Sequence, residues 1–236
     1  IGGRGVKDKN RGLNRATQTV RQPGSAIKPI TVYGYAIEND IITAATAIDE
    51  SPLQINATPI RLLAGQNYYI SPVDGTEIKF TYAGWPSNYS GEYSGYIDVK
   101  NALSNSYNTT SVKVLSMIGV STSYNFAKTM LGLKNLVAQD KDLAPLSVGA
   151  LTYGVTLQEL TAAYTVFIND GIYSSPRCVT RVETYDGKVL YENEIDKRVV
   201  FTPQTAYIMT NILDDLKGSA ADAEIEGVAT AGKSGT

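Results

Sequence analysis

Ser25 and Lys28 stand three residues apart in Arg21-Gln22-Pro23-Gly24-Ser25-Ala26-Ile27-Lys28-Pro29. On a helix that spacing puts both side chains on one face, a turn apart. Gly24 frees the backbone just ahead of the serine, and a helix starting there supplies unpaired N–H groups beside the hydroxyl. A hydroxyl, an amine and such donors are the parts of an acyl-transfer site: nucleophile, base and half of an oxyanion hole. The chain contains no histidine, which excludes Ser-His-Asp catalysis and histidine-ligated metal sites within it. If Ser25 is a nucleophile, Lys28 is then the natural base, and only in its neutral form. A free lysine near pKa 10.4 needs roughly 4–5 kcal/mol to become mostly neutral at pH 7. Partial burial and a second nearby cation could each contribute, because both disfavour the ammonium.

The elements that would position this pair can be read in outline. An apolar run after Lys28 (Ile30, Val32, Tyr33, Tyr35, Ile37) predicts a mostly buried helix over about Ser25–Glu38, with Pro29 tolerable near its first turn. Residues 40–100 carry turn formers and six tyrosines (Tyr68, Tyr69, Tyr82, Tyr89, Tyr93, Tyr96), which fit half-buried strand positions or the wall of a groove. Pro72-Val73-Asp74-Gly75 and Pro86-Ser87-Asn88 read as turns between short strands. From Asp98 to Leu133 the apolar spacing is helical. Thr156-Leu157-Gln158-Glu159 is a capping box for a helix that stops at Asn169-Asp170-Gly171. Val179–Tyr191, centred on Asp186-Gly187, is the strongest hairpin signal. Thr202-Pro203 opens a last helix with Met209, Ile212, Leu213 and Leu216 on its apolar face and Gly218 at its end. Residues Val228–Thr236 read as a strand. The class is therefore α/β with substantial helical content.

The composition narrows the partners. At 236 residues the chain can bury a large core, and a net charge of −2 points to neither nucleic acid nor an anionic membrane surface. No apolar run approaches the length of a membrane span, and the opening residues are not expected to act as a signal peptide. The single cysteine, Cys178, allows no intrachain disulfide and is expected as a small buried hydrophobe in a strand.

Seventeen serines and thirteen lysines in 236 residues predict about one Ser-x-x-Lys pair by chance, so the pair alone says nothing. The two Ser-x-Asn triplets, Ser106-Tyr107-Asn108 and Ser123-Tyr124-Asn125, are equally uninformative singly, as is Lys233-Ser234-Gly235. Their order carries the weight. Ser-x-x-Lys, Ser-x-Asn and Lys-Thr/Ser-Gly, in that sequence, resemble the signature of penicillin-binding proteins and serine β-lactamases. The flanks sharpen the likeness. Asn14-Arg15-Ala16 followed by Arg21-Gln22-Pro23-Gly24 and Pro29 around the first motif resembles the transpeptidase segment of class A, bifunctional penicillin-binding proteins. Ala102-Leu103 ahead of Ser106, Gly154-Val155-Thr156, and Ala231-Gly232-Lys233-Ser234-Gly235-Thr236 continue that resemblance through nearly the whole chain.

The resemblance implies a central antiparallel sheet flanked by helices, with Ser25, Lys28, Ser106, Asn108 and Lys233 catalytic and no cofactor or metal. Ser106 would relay a proton to the leaving amine, while Asn108 holds the substrate's peptide carbonyl or amide and helps fix Lys28. Ser234, Gly235 and Thr236 would line the substrate strand, with Ser25 and Thr236 N–H groups as the oxyanion hole. Ser234 stands where most of the family has threonine, which keeps the hydroxyl and loses a methyl. Ser123 falls in the helical segment after the motif and is expected as a surface or capping residue. The implied reaction is D,D-transpeptidation of peptidoglycan stem peptides through a serine acyl-enzyme, with β-lactams as covalent inhibitors. It would take place at the extracytoplasmic face of a bacterial membrane, the anchor lying outside this chain.

A β-lactamase shares the motifs but needs a deacylating base, and no suitable glutamate is evident; a β-lactam sensor and a non-catalytic peptidoglycan-binding module are the other readings. Residues 1–236 are expected as one transpeptidase domain truncated at both ends, with the C-terminal strands and helix missing. A fragment so truncated would be poorly stable on its own. A glycosyltransferase domain would belong to the complete protein.

Overall fold

The computed structural model describes residues 12–55, 58–59, 68–70, 77–79, 84–91, 93, 95–215 and 225–235. Its helices are α1 (Gly34–Glu38), α2 (Val99–Ser104), α3 (Asn108–Ile118), α4 (Val120–Thr129), α5 (Leu143–Val148), α6 (Leu157–Tyr164) and α7 (Pro203–Leu213). Strands pair antiparallel throughout. Among the described residues they form six sheets of two or three short strands. Val20–Arg21, just ahead of the first motif, pairs with Val155–Thr156, and Ala47–Asp49 pairs with Tyr96–Asp98 at the entrance to α2.

The segment after Ser25 is the axis of the core. Residues from Ala26 to Val32 are buried almost completely, and α3, α4 and α5 pack around them. It is not the continuous helix that its apolar run predicts. Gly24–Ile27 forms a 3₁₀ turn, Pro29–Tyr33 a π turn, and only Gly34–Glu38 is α-helical. Pro29 has no N–H, so the i→i−4 bond to Ser25 O cannot form. Lys28 N donates to Ser25 O instead, and Gly34 N reaches back to Pro29 O. Thr31 Oγ1 donates to both Ile27 O at 2.9 Å and Leu146 O at 2.7 Å, tying the irregular turn to α5.

Several local signals hold. Glu159 N donates to Thr156 Oγ1 at 3.1 Å and Thr156 N to Glu159 Oε2 at 2.8 Å, the reciprocal capping box that starts α6. Thr202 caps α7 with Pro203 as its first residue. Arg181–Glu183 and Val189–Glu192 form the hairpin, with Gly187 at φ +83° in the turn. Leu216 and Gly218, together with the Pro72–Gly75 turn, lie outside the described residues.

Two local expectations are corrected. Cys178 is exposed in the loop before the hairpin, which itself stands clear of the core and gives the sulfur nothing to pack against. Residues 225–235 form no strand: Gly232 N donates to Leu213 O at 2.9 Å, and none of the described strands pairs with them.

Candidate active site

Gly24 takes φ +53°, a left-handed conformation open to glycine, and Gly149 N-terminal to Leu151 lies so close that a Cβ on it would overlap Gly24 O. This tight approach seats the turn that presents Ser25. Tyr164 Oη donates to Ala26 O at 2.7 Å from α6, and Gln22 Nε2 donates to Leu151 O on the other side. The nucleophile segment is thus clamped from three directions.

Lys28 is fully buried, and its Nζ meets the second motif directly. It donates to Ser106 O at 2.6 Å, Asn108 Oδ1 at 2.7 Å and Tyr107 O at 3.1 Å, with Ser106 Oγ at 3.4 Å. The backbone explains how two successive carbonyls reach it. Ser106 sits at φ +61° between α2 and α3, a left-handed position that is uncommon for a residue other than glycine. Ser106 N and Tyr107 N bond back to Leu103 O and Ala102 O, each at 3.0 Å, so the turn is held in that shape.

Three close acceptors match the three N–H donors of an ammonium. Burial first, and then the charge of Lys233, push the Lys28 pKa well below the ordinary lysine value. A neutral amine has only two N–H groups and one lone pair. To accept a proton, Nζ must therefore release one contact, and Tyr107 O and Ser106 Oγ are the longest of the four. Ser106 Oγ is placed to receive a proton from Nζ or return one. The hydrogen bonds of Lys28 Nζ thus go to residues 106–108 and not to Ser25 Oγ.

The third motif comes alongside. A Cβ on Gly235 would overlap Pro23 O and lie 3.1 Å from Ala26 Cβ, so glycine is needed for residues 233–235 to lie against the turn carrying Ser25. Burial lowers the Lys233 pKa to about 8. Its hydrogen bond among the described residues is a long one to Ser234 O at 3.4 Å. Ser25, Lys28, Ser106, Asn108, Lys233, Ser234 and Gly235 thus converge, while Thr236 lies outside the described residues. Ser123 takes no part in the site, but it is no surface residue: it is fully buried in α4 and its Oγ donates to Thr31 O at 2.8 Å.

The family model for the penicillin-binding protein transpeptidase domain matches residues 66–236. The chain belongs to that family. Relatives include penicillin-binding protein 1A of Clostridium acetobutylicum, 35% identical over all of this chain and 27% of its own length, and penicillin-binding protein 4 of Bacillus subtilis, 29% identical over 95% of this chain and 32% of its own length. This chain thus spans about a quarter to a third of the curated relatives it matches. Among solved structures, the D,D-transpeptidase domain of a peptidoglycan glycosyltransferase from Eggerthella lenta superposes with TM-score 0.66 at 19% identity, covering 94% of this chain and 55% of that one. Penicillin-binding protein A from M. tuberculosis, solved as an imipenem acyl-enzyme complex, gives TM-score 0.65 at 21% identity over 94% of this chain and 50% of that one. The fold is that of the penicillin-binding transpeptidase domain.

Spacing could not reveal Tyr164, or the Ser87–Asn88 turn that packs at the start of α3. Asn108 Nδ2 donates to Ser87 O at 2.8 Å. Pro86-Ser87-Asn88 is legible as a turn, but nothing in the linear pattern pairs it with the second motif.

Proposed function

We propose that this chain is the acyl-transfer unit of a peptidoglycan D,D-transpeptidase and that residues 1–236 act as one transpeptidase domain. Ser25 Oγ attacks the carbonyl carbon of the penultimate D-alanine of a stem peptide, and its proton passes to neutral Lys28. The C–N bond breaks, the proton travels through Ser106 Oγ to the leaving amine, and D-alanine departs. An amine of a second stem peptide then attacks the ester, regenerating Ser25 and forming the cross-link. Water in place of that amine would give carboxypeptidase activity. Lys233 and Ser234 bind the terminal carboxylate, Asn108 the substrate amide, and the Ser25 and Thr236 N–H groups the oxyanion. In a β-lactam the same attack opens the ring, leaving the serine acylated.

The carrying observation is the Lys28 cage: a fully buried lysine whose Nζ lies 2.7 Å from Asn108 Oδ1 and 3.4 Å from Ser106 Oγ. A module that only binds peptidoglycan has no use for a lysine held in this way. Among the described residues, no helix is long and apolar enough to cross a membrane. Placement at the extracytoplasmic face, through an anchor outside residues 1–236, is part of the proposal, as is a glycosyltransferase activity elsewhere in the protein. The Eggerthella lenta domain, whose parent is named a peptidoglycan glycosyltransferase, supports the latter.

The direct test is release of D-alanine from a pentapeptide donor by the whole protein. Stoichiometric release with formation of a cross-linked dimer supports the reading. A protein that binds the donor without releasing D-alanine is a non-catalytic module, and one that hydrolyses β-lactams rapidly is a lactamase.

A further inference from the structure

α3 begins at Asn108, and its first N–H groups need acceptors from outside the helix. Tyr107, at the capping position, offers no side-chain cap. The acceptor comes from twenty residues upstream: Asn88 Oδ1 takes Asn108 N at 2.9 Å and Thr109 N at 3.5 Å. Asn88 is only 5% exposed, and its Nδ2 donates to Oε1 of Glu50, which is fully buried. The same Glu50 oxygen accepts Thr109 Oγ1 at 3.1 Å. Alongside, Ser87 O accepts Asn108 Nδ2 at 2.8 Å. With Nδ2 committed there, Asn108 must present Oδ1, an acceptor, to Lys28 Nζ at 2.7 Å. Rotated by half a turn, the amide would set donor against donor.

We propose that Asn88 is a positioning residue for the acyl-transfer site, capping α3 from outside the helix and thereby holding Asn108 on Lys28, with Glu50 as its buried anchor. The proposal rests on the acyl-transfer reading above. Asn88 acts through the start of α3, by its bonds to Asn108 N and Thr109 N. Small displacements of a group that fixes a base are costly in rate: about 10- to 100-fold for shifts near 1 Å.

The test is the rate of acylation by a fluorescent penicillin in the full chain, with the final labelled fraction measured separately. Asn88→Ala is expected to acylate about 10- to 100-fold more slowly while still labelling nearly every molecule in the end. A merely structural role would lower the labelled fraction and leave the rate of the folded molecules unchanged. Asn88→Asp combined with Glu50→Gln exchanges the amide and carboxylate. It keeps an acceptor for Asn108 N and a donor–acceptor pair between positions 88 and 50, so its rate is expected within about threefold of the original. This exchanged pair also decides the matter if Asn88→Ala does not fold. An unaltered rate in folded Asn88→Ala, or an exchanged pair that remains more than about tenfold slow, overturns the positioning role. If the unmodified chain itself takes no label, the acyl-transfer reading fails, and this proposal fails with it.

Discussion

Replacing Lys233 by methionine probes the electrostatics on which the mechanism depends. The two lysines have opposite requirements. Lys28 must lose its proton to serve as base, whereas Lys233 must keep its own to bind a carboxylate. Burial lowers Lys233 to about 8, and the Lys233 charge in turn helps depress Lys28. Acylation should therefore rise with pH as Lys28 deprotonates and fall above about pH 8 as Lys233 does. One pH unit beyond that midpoint only about a tenth of the molecules retain the Lys233 proton, so the rate should drop about tenfold by pH 9 and about 100-fold by pH 10. In Lys233→Met the alkaline limb should vanish, because the group that titrates there is gone. The acidic limb should move to higher pH, because removing a neighbouring cation restores stability to the Lys28 ammonium. Stopped-flow acylation by a fluorescent penicillin well below saturation, from pH 5 to 10, reads both limbs in the second-order rate constant. An alkaline limb that survives unchanged in Lys233→Met, or an acidic limb that moves downward, would refute this electrostatic account.

Gly235→Ala should slow acylation by about 100-fold, because its methyl overlaps Pro23 O and forces the third motif off the turn bearing Ser25; the same labelling assay measures it, with circular dichroism to confirm the fold. Phe201→Ala should destabilise the domain by roughly 3–5 kcal/mol and lower its melting temperature by about 10 °C, read by thermal denaturation. That ring is fully buried, stacked on Phe167 with centroids 5.7 Å apart and tilted against Phe126 at the same separation.

Much of the site was legible from residue types in order. Ser25, Lys28, Ser106, Asn108 and Lys233 lie in short motifs that say nothing singly and carry weight in their order and flanks, and the structure brings them together. Capping signals such as Thr156-x-x-Glu159 and Thr202-Pro203 succeeded because they involve neighbours within one turn. Expectations failed where the deciding partner is distant in sequence or missing from the pattern. Apolar periodicity over residues 26–37 looks like one helix, yet one absent N–H at Pro29 splits it into 3₁₀, π and α turns. Ser123 looks like a surface residue until Thr31 O, 92 residues away, proves to be its acceptor. Cys178 reads as a core residue by type, but the adjoining hairpin projects from the core. The remote cap that Asn88 gives α3 has no local signature at all.

The central claim is that Ser25 becomes acylated with Lys28 as its base. The most direct measurement is mass spectrometry of the complete protein after incubation with a penicillin, followed by mapping of the modified peptide. One adduct per chain is expected, on the peptide containing Ser25, with none in Ser25→Ala while that variant keeps its melting temperature. An adduct on Ser106 or elsewhere, or no adduct on a folded protein, would contradict the account.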